Sequence, residues 1–406
     1  MNRVAITGLG LISPLGAGVD SLISGIQARR SAVRHMEEWT RYTGLKSHVA
    51  APAELKDEKL IPRQHRRSMG RMSIFAVQAS EQAIRDAGVV PSEHEGRLGC
   101  IIGSTTGSAK SINDAFEIML PERDLTQMPS GMFFQCLSHT AAMNVAQYLG
   151  LTGYFAAPAA ACASALQAIG IGYDIIRLGR QDLLLCGGAE ELHPTVTGSF
   201  DVLFATSTRY NASPSQTPRP FDRDRDGLVC GEGAGIVVLE EYERALRRNA
   251  RVYAEIVGYS TRTSGFHISH SEKKSMVDCM TDALHNAGAV PEEVDYVNAH
   301  ATGTLQGDKE EAEAVRELFG RSVPVSSLKG YMGHTLGASG AIELIASLMM
   351  MKNGEVYPTL NLENVGSDCG GIYHVTEPVT KEINLIMKNC FAFGGINCTL
   401  ICRSLV

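Results

Sequence analysis

Short apolar runs alternate along the chain with longer stretches whose apolar residues recur every three or four positions. The runs at residues 4–10, 98–103, 183–188, 294–299 and 390–395 lead into Gly-rich or Thr-rich turns, which predicts buried strands. The stretches at 163–179 and 338–354 close on Gly179 and Gly354, which predicts two long apolar helices with glycine at the C-terminal cap.

These elements are repeated. Residues 83–91 (AIRDAGVVP) recur 200 positions later as 283–291 (ALHNAGAVP), each a helix end with glycine at the cap and proline shortly after. Residues 163–179 parallel 338–354 at an offset of 175, and 183–188 are matched to 390–395. Ala5-Ile6-Thr7-Gly8 has a counterpart in Glu255-Ile256-Val257-Gly258. Each half reads strand, helix, strand, helix, strand, with insertions in the first around 105–150 and 190–245. Two duplicated α/β halves, residues 1–247 and 248–406, predict a five-layer α/β/α/β/α fold joined at the charged link 247–251 (RRNAR).

Composition narrows the class. Of 406 residues 44% are apolar and 20% charged, with 41 glycines, as expected of a compact enzyme rather than a disordered or coiled-coil chain. A net charge of −7 argues against a nucleic-acid or anionic-membrane binder. The ten cysteines include no C-x-x-C pair, and no secretory leader precedes them, so reduced thiols and a cytoplasmic location are expected. Residues 125–173 hold no Asp, Glu, Lys or Arg, yet polar residues interrupt every window long enough for a membrane span. Burial on all sides, partly in a subunit interface, is the expectation.

Two motifs lead elsewhere. Gly8-Leu9-Gly10 begins like a dinucleotide fingerprint, but Ser13 stands where the third glycine belongs, and a tight turn is expected. Residues 222–227 (DRDRDG) imitate a calcium loop, but Gly233 stands where the closing Glu belongs, and an ion-paired loop is expected.

The chemistry concentrates in four places. Cys162 opens the helix at 163, where the macrodipole lowers a thiol's pKa, and Ala159–Ala161 and Ala163 leave room for a substrate chain. An inert buried thiol is the competing reading. His300 ends the strand at 294–299, and His334 stands just before the second apolar helix, where the 175-residue offset maps Cys162 to Gly337. The two halves thereby aim a Cys and a His at one interface. Phe393 precedes Gly394 and Gly395, a pair that lets backbone N–H groups approach a ligand.

These motifs together resemble the β-ketoacyl-(acyl carrier protein) synthases, condensing enzymes of thiolase-like fold, over essentially the whole chain. The resemblance is carried by residues 4–16, 160–165, 186–190 (CGGAE), 219–235 (RPFDRDRDGLVCGEGAG), 297–308, 325–340 and 391–397. It implies that Cys162 accepts the acyl group and that His300 and His334 promote malonyl decarboxylation. It implies that Lys329, paired with Glu343, supports the site, and that Cys162 and Phe393 form the oxyanion hole, with Phe393 gating beside Gly394. Thr302 and Thr304 would hold the phosphopantetheine arm of acyl carrier protein, and no metal or resident cofactor is implied. Arg63, Arg66, Arg67 and Arg71 form a basic patch suited to that acidic partner. The implied reaction is fatty-acid elongation in a homodimer, or in a heterodimer with a related subunit. Ala301, Gly303 and Ile396 depart from the usual pattern and keep open a specialised ketosynthase of a type II polyketide or polyene pathway. A thiolase, or a non-catalytic chain-length partner subunit, is a lesser alternative.

Overall fold

The computed structural model describes residues 1–405. The first half contains β1 (Val4–Ser13), α1 (Arg71–Ala87), β2 (Leu98–Gly103), α2 (Ser164–Arg177), β3 (Leu183–Glu190) and β4 (Gly233–Glu241). The second contains β5 (Ala254–Thr263), α3 (Lys273–Ala287), β6 (Tyr296–Asn298), α4 (Leu305–Phe319), β7 (Pro324–Ser326), α5 (Ser339–Asn353), β8 (Leu385–Ala392) and β9 (Ile396–Arg403). Strand order is β2-β3-β4-β1 in one half and β7-β6-β8-β9-β5 in the other. Antiparallel pairing of Val4–Ile6 with Ala254–Ile256 joins the two into one mixed sheet.

Three apolar cores separate five layers. One lies between α1 and the first-half strands, and one between α3, α4 and the second-half strands. The largest contains α2 and α5, which pack on each other and on strands of both halves. The expected α/β/α/β/α stack is the observed one.

Glycines record the duplication at atomic scale. A Cβ on Gly8 would lie 2.3 Å from Ala83 O, and one on Gly258 would lie 2.3 Å from Ala283 O. Gly8 and Gly10 therefore lie inside β1, where they let α1 approach its backbone, and the expected tight turn is not there. The third repeat pair is also displaced from its expected register. Leu185 lies opposite Val238, itself opposite Gly8, and Met387 lies opposite Ile401, itself opposite Gly258. Leu183–Glu190 thus corresponds to Leu385–Ala392. Gly187 and Gly188 are strand residues, whereas Gly394 and Gly395 form the turn that follows, with φ of 87° and 70°.

The uncharged segment is only partly buried. Residues 140–145 and 160–173 are mostly enclosed, but 125–139 and 151–159 lie largely at the surface of the chain, with Leu125, Phe133, Phe134 and Phe155 exposed. The lack of charge marks apolar surface as well as core. The run at 222–227 is the expected ion-paired loop: Asp222 accepts from Arg219 and three backbone N–H groups, and Arg225 pairs with Asp368. Among the described residues no helix is long and apolar enough to cross a membrane.

Candidate active site

Cys162 sits on a strained turn. Ala161 has φ of 48°, and a 3₁₀ turn, Ala161–Ala163, passes directly into α2. A non-glycine residue at positive φ is costly and persists only when neighbours hold it. Here Ser164 Oγ holds it, donating to Ala161 O at 2.7 Å and accepting from Ala160 N at 2.9 Å. The second half repeats the device: Leu336 has φ of 46°, and the turn Leu336–Ala338 leads into α5. Gly337 takes the place of Cys162 there. A Cβ at Gly337 would meet Glu190 Oε2 at 2.8 Å and Thr105 N at 2.9 Å, so this elbow is closed to any side chain.

Two carboxylates of α4 hold the His300 loop. Glu311 accepts the N–H groups of His300 and Ala301 at 2.7 and 2.6 Å. Asp308 accepts those of Thr302 and Gly303 at 3.0 and 3.1 Å. Burial pushes Glu311 up to about 7 and Asp308 up to about 6, against the pull of these donors. His334 is fixed from the other side, its N–H donating to Val229 O at 2.7 Å and its carbonyl accepting from Gly231 N.

The three side chains converge. One ligand-type atom from each of Cys162, His300 and His334 lies within 4.8 Å of the other two. The imidazole centroids are 5.2 Å apart at 82°, and neither residue nor Cys162 is more than 7% exposed. Nδ1 of His300 and both ring nitrogens of His334 have no protein partner among the described residues. A Cys and two His match zinc by donor type, but the ammoniums of Lys329 and Lys388 bear on both imidazoles and oppose a dication there.

Electrostatics departs from the expected thiolate. Burial pushes Cys162 up to about 12, with Lys329 pulling the other way. The helix N-terminus adds a stabilisation of at most about 2 kcal/mol, less than burial takes away. The thiol is therefore protonated at neutral pH and must yield its proton as it attacks. Burial, then Lys329, depresses His300 and His334 well below the usual imidazole range, so both are neutral and can accept or donate.

Behind the imidazoles lies an ionic cluster. Lys329 Nζ donates to Glu343 Oε1 at 2.6 Å, and Lys388 Nζ donates to Glu343 Oε2 at 2.5 Å, with all three side chains at most 1% exposed. Burial alone would raise Glu343, yet the two ammoniums hold it down to about 2. Glu311, Asp308 and Lys388 escaped sequence reasoning. Their signals were an acidic pair three residues apart at the start of the helix after His300, and one lysine within an otherwise uncharged strand.

The cleft over Cys162 is lined by Phe393, Phe200, Thr302, Thr304 and the two histidines. Its volume is about 30 Å³, room for a water or two. Thr302 Oγ1 and Thr304 Oγ1 are 3.1 Å apart at its mouth, and Phe393 stacks obliquely on Phe200 with centroids 5.8 Å apart. The Gly394 N–H donates to Ile268 O at 2.7 Å, so it serves the loop rather than an oxyanion. Cys390 and Cys398 are fully buried outside this lining. In the basic patch Arg63 and Arg67 are exposed and Arg66 is partly so. Arg71 is also partly exposed, but its guanidinium is paired with buried Glu232 and donates to Ala53 O.

Known proteins match the chain over its whole length. Models of the beta-ketoacyl synthase N-terminal and C-terminal domains match residues 1–245 and 253–363. The 3-oxoacyl-[acyl-carrier-protein] synthase 1 of Escherichia coli (strain K12) is 36% identical over 408 residues, covering all of both chains. The crystal structure of a beta-ketoacyl synthase from Burkholderia phymatum STM815 superposes with a TM-score of 0.94 at 43% identity, again over both chains. One chain of the complex of a type II polyketide synthase acyl carrier protein with its ketosynthase, bound to the hexaketide, superposes at 0.92 with 30% identity over the full length. On both domain models and on full-length relatives of this identity, the chain belongs to the beta-ketoacyl synthase family.

Proposed function

We propose that the protein joins an acyl group held on Cys162 to malonyl-acyl carrier protein, giving 3-oxoacyl-acyl carrier protein in fatty-acid elongation. The observation that carries this reading is the convergence of Cys162, His300 and His334 in one closed cleft. Cys162 Sγ attacks the thioester carbonyl of an acyl carrier, its proton passes to a neighbouring imidazole, and the pantetheine thiol leaves with a proton. The Cys162 and Phe393 N–H groups face the oxyanion formed on the way. Malonyl carrier then replaces the first carrier, in ping-pong order. Its carbon–carbonyl bond to the terminal carboxylate breaks, carbon dioxide leaves, and the electron pair moves onto the thioester oxygen between the N–H groups of His300 and His334. The enolate carbon attacks the acyl carbonyl, and Cys162 leaves as a thiolate that takes up a proton from solvent.

Thr302 and Thr304 hold the pantetheine arm, and Lys329 with Glu343 supports the histidines. Arg63, Arg66 and Arg67 receive the acidic carrier protein, and no resident cofactor or metal enters the reaction. The working unit is a dimer, a homodimer or a pair with a related subunit, built on the uncharged surface and located in the cytoplasm. The halves 1–247 and 248–406 divide the task, one carrying the nucleophile and the other the histidines. A growing polyketide or polyene chain is the second reading, favoured by the 0.92 superposition on a type II ketosynthase. Turnover of a panel of acyl carrier thioesters separates the two.

Cys162→Ala is expected to abolish condensation, and Cys162→Gln to decarboxylate malonyl carrier without condensing it. Retained condensation in Cys162→Ala would overturn the reading.

A further inference from the structure

The proposed reaction leaves Lys388 without a task. It stands in the middle of β8, fully buried, where an unpaired ammonium would cost several kcal/mol. Its Nζ donates to Glu343 Oε2 and to Asn389 O, at 2.5 and 2.8 Å. The other oxygen of the same carboxylate already accepts from Lys329 Nζ at 2.6 Å and from Ser339 Oγ at 2.7 Å. One lysine would neutralise Glu343; two leave a net positive charge in a closed interior. That surplus bears on both imidazoles from behind.

One other titratable group of this shell opposes it, and only in part. On α4, the Glu311 carboxylate accepts two backbone N–H groups of the His300 loop, and burial raises it to about 7, so near neutral pH it carries only part of a negative charge. On β6, the Tyr296 hydroxyl bonds to Ser326 and Asn298. Cys162, on its turn, and Cys390, on β8 itself, are buried thiols whose pKa burial raises.

We propose that Lys388 is a positioning residue of the condensing site: as the second ammonium on Glu343 it makes the Lys329–Glu343–Lys388 cluster net positive, which stabilises the enolate formed between His300 and His334. The inference rests on the reading of the site given above. A preorganised charge in a water-excluded interior acts on developing negative charge without reorganisation.

The test is malonyl-acyl carrier protein decarboxylation against pH, in wild type, Lys388→Met and Lys388→Met/Glu343→Gln. The single variant removes the surplus charge and the double variant restores it. Lys388→Met is expected to keep its KM, to lose about tenfold in kcat, and to shift the imidazole inflection to higher pH. The double variant is expected to recover most of both. An unchanged kcat and inflection in Lys388→Met, or a double variant no better than the single, would overturn the role. A wild type that does not decarboxylate at all would instead indict the reading of the site. Should Lys388→Met not fold, Lys388→Gln takes its place, with the same expected and overturning results.

Discussion

Cys162 is held by opposing forces that its place in the sequence only half reveals. Its position at the start of an apolar helix was legible, because the 175-residue repeat sets it opposite Gly337 and close to His334. The dipole argument alone called for a thiolate, yet burial raises the thiol to about 12. Its alkylation by iodoacetamide should accordingly climb about tenfold per pH unit from 7 to 9. A plateau below pH 8 would show a thiolate already formed. Burial depends on the whole fold, which is why the sign of this shift could not be read from local spacing. The same holds for Glu311 and Lys388: a carboxylate or a lysine in a helix or strand is ordinary until the fold encloses it. Arg71 is a further case, since its pairing with Glu232 depends on a residue 161 positions away.

Elements were more legible than registers. The repeated helix ends at 83–91 and 283–291 identified the duplication, and the structure carries it down to Gly8 and Gly258 under Ala83 and Ala283. Both glycines let a helix touch a strand backbone, so Gly8→Ala and Gly258→Ala should each destabilise by about 1–3 kcal/mol. Urea unfolding measures this, and a neutral result at either site would contradict the packing described. The pairing of 183–188 with 390–395 slipped because a glycine pair looks the same inside a strand as in the turn after it. Only the ladder partners Val238 and Ile401 fix the match of Leu185 with Met387. The second elbow, closed by Glu190 against Gly337, explains why a duplicated device carries a single nucleophile.

The whole molecule is a five-layer body whose halves share one central helix layer, and this architecture followed from the duplicated strand and helix order. The uncharged segment was less legible, since absence of charge does not distinguish core from an apolar surface awaiting a partner. Phe133 and Phe134 stand 61% and 44% exposed, as expected of residues that a second subunit covers. Light scattering should give twice the mass of the chain, and Phe133→Asp/Phe134→Asp should give a monomer; a double variant that stays dimeric would place the interface elsewhere. The central claim, an acyl group carried on Cys162 and then extended, is tested most directly by intact-protein mass spectrometry. Incubation with an acyl carrier thioester should add one acyl mass, mapped to Cys162, and malonyl carrier should discharge it with appearance of the 3-oxoacyl carrier. An acyl mass that persists in Cys162→Ala, or none in the wild type, would contradict the account.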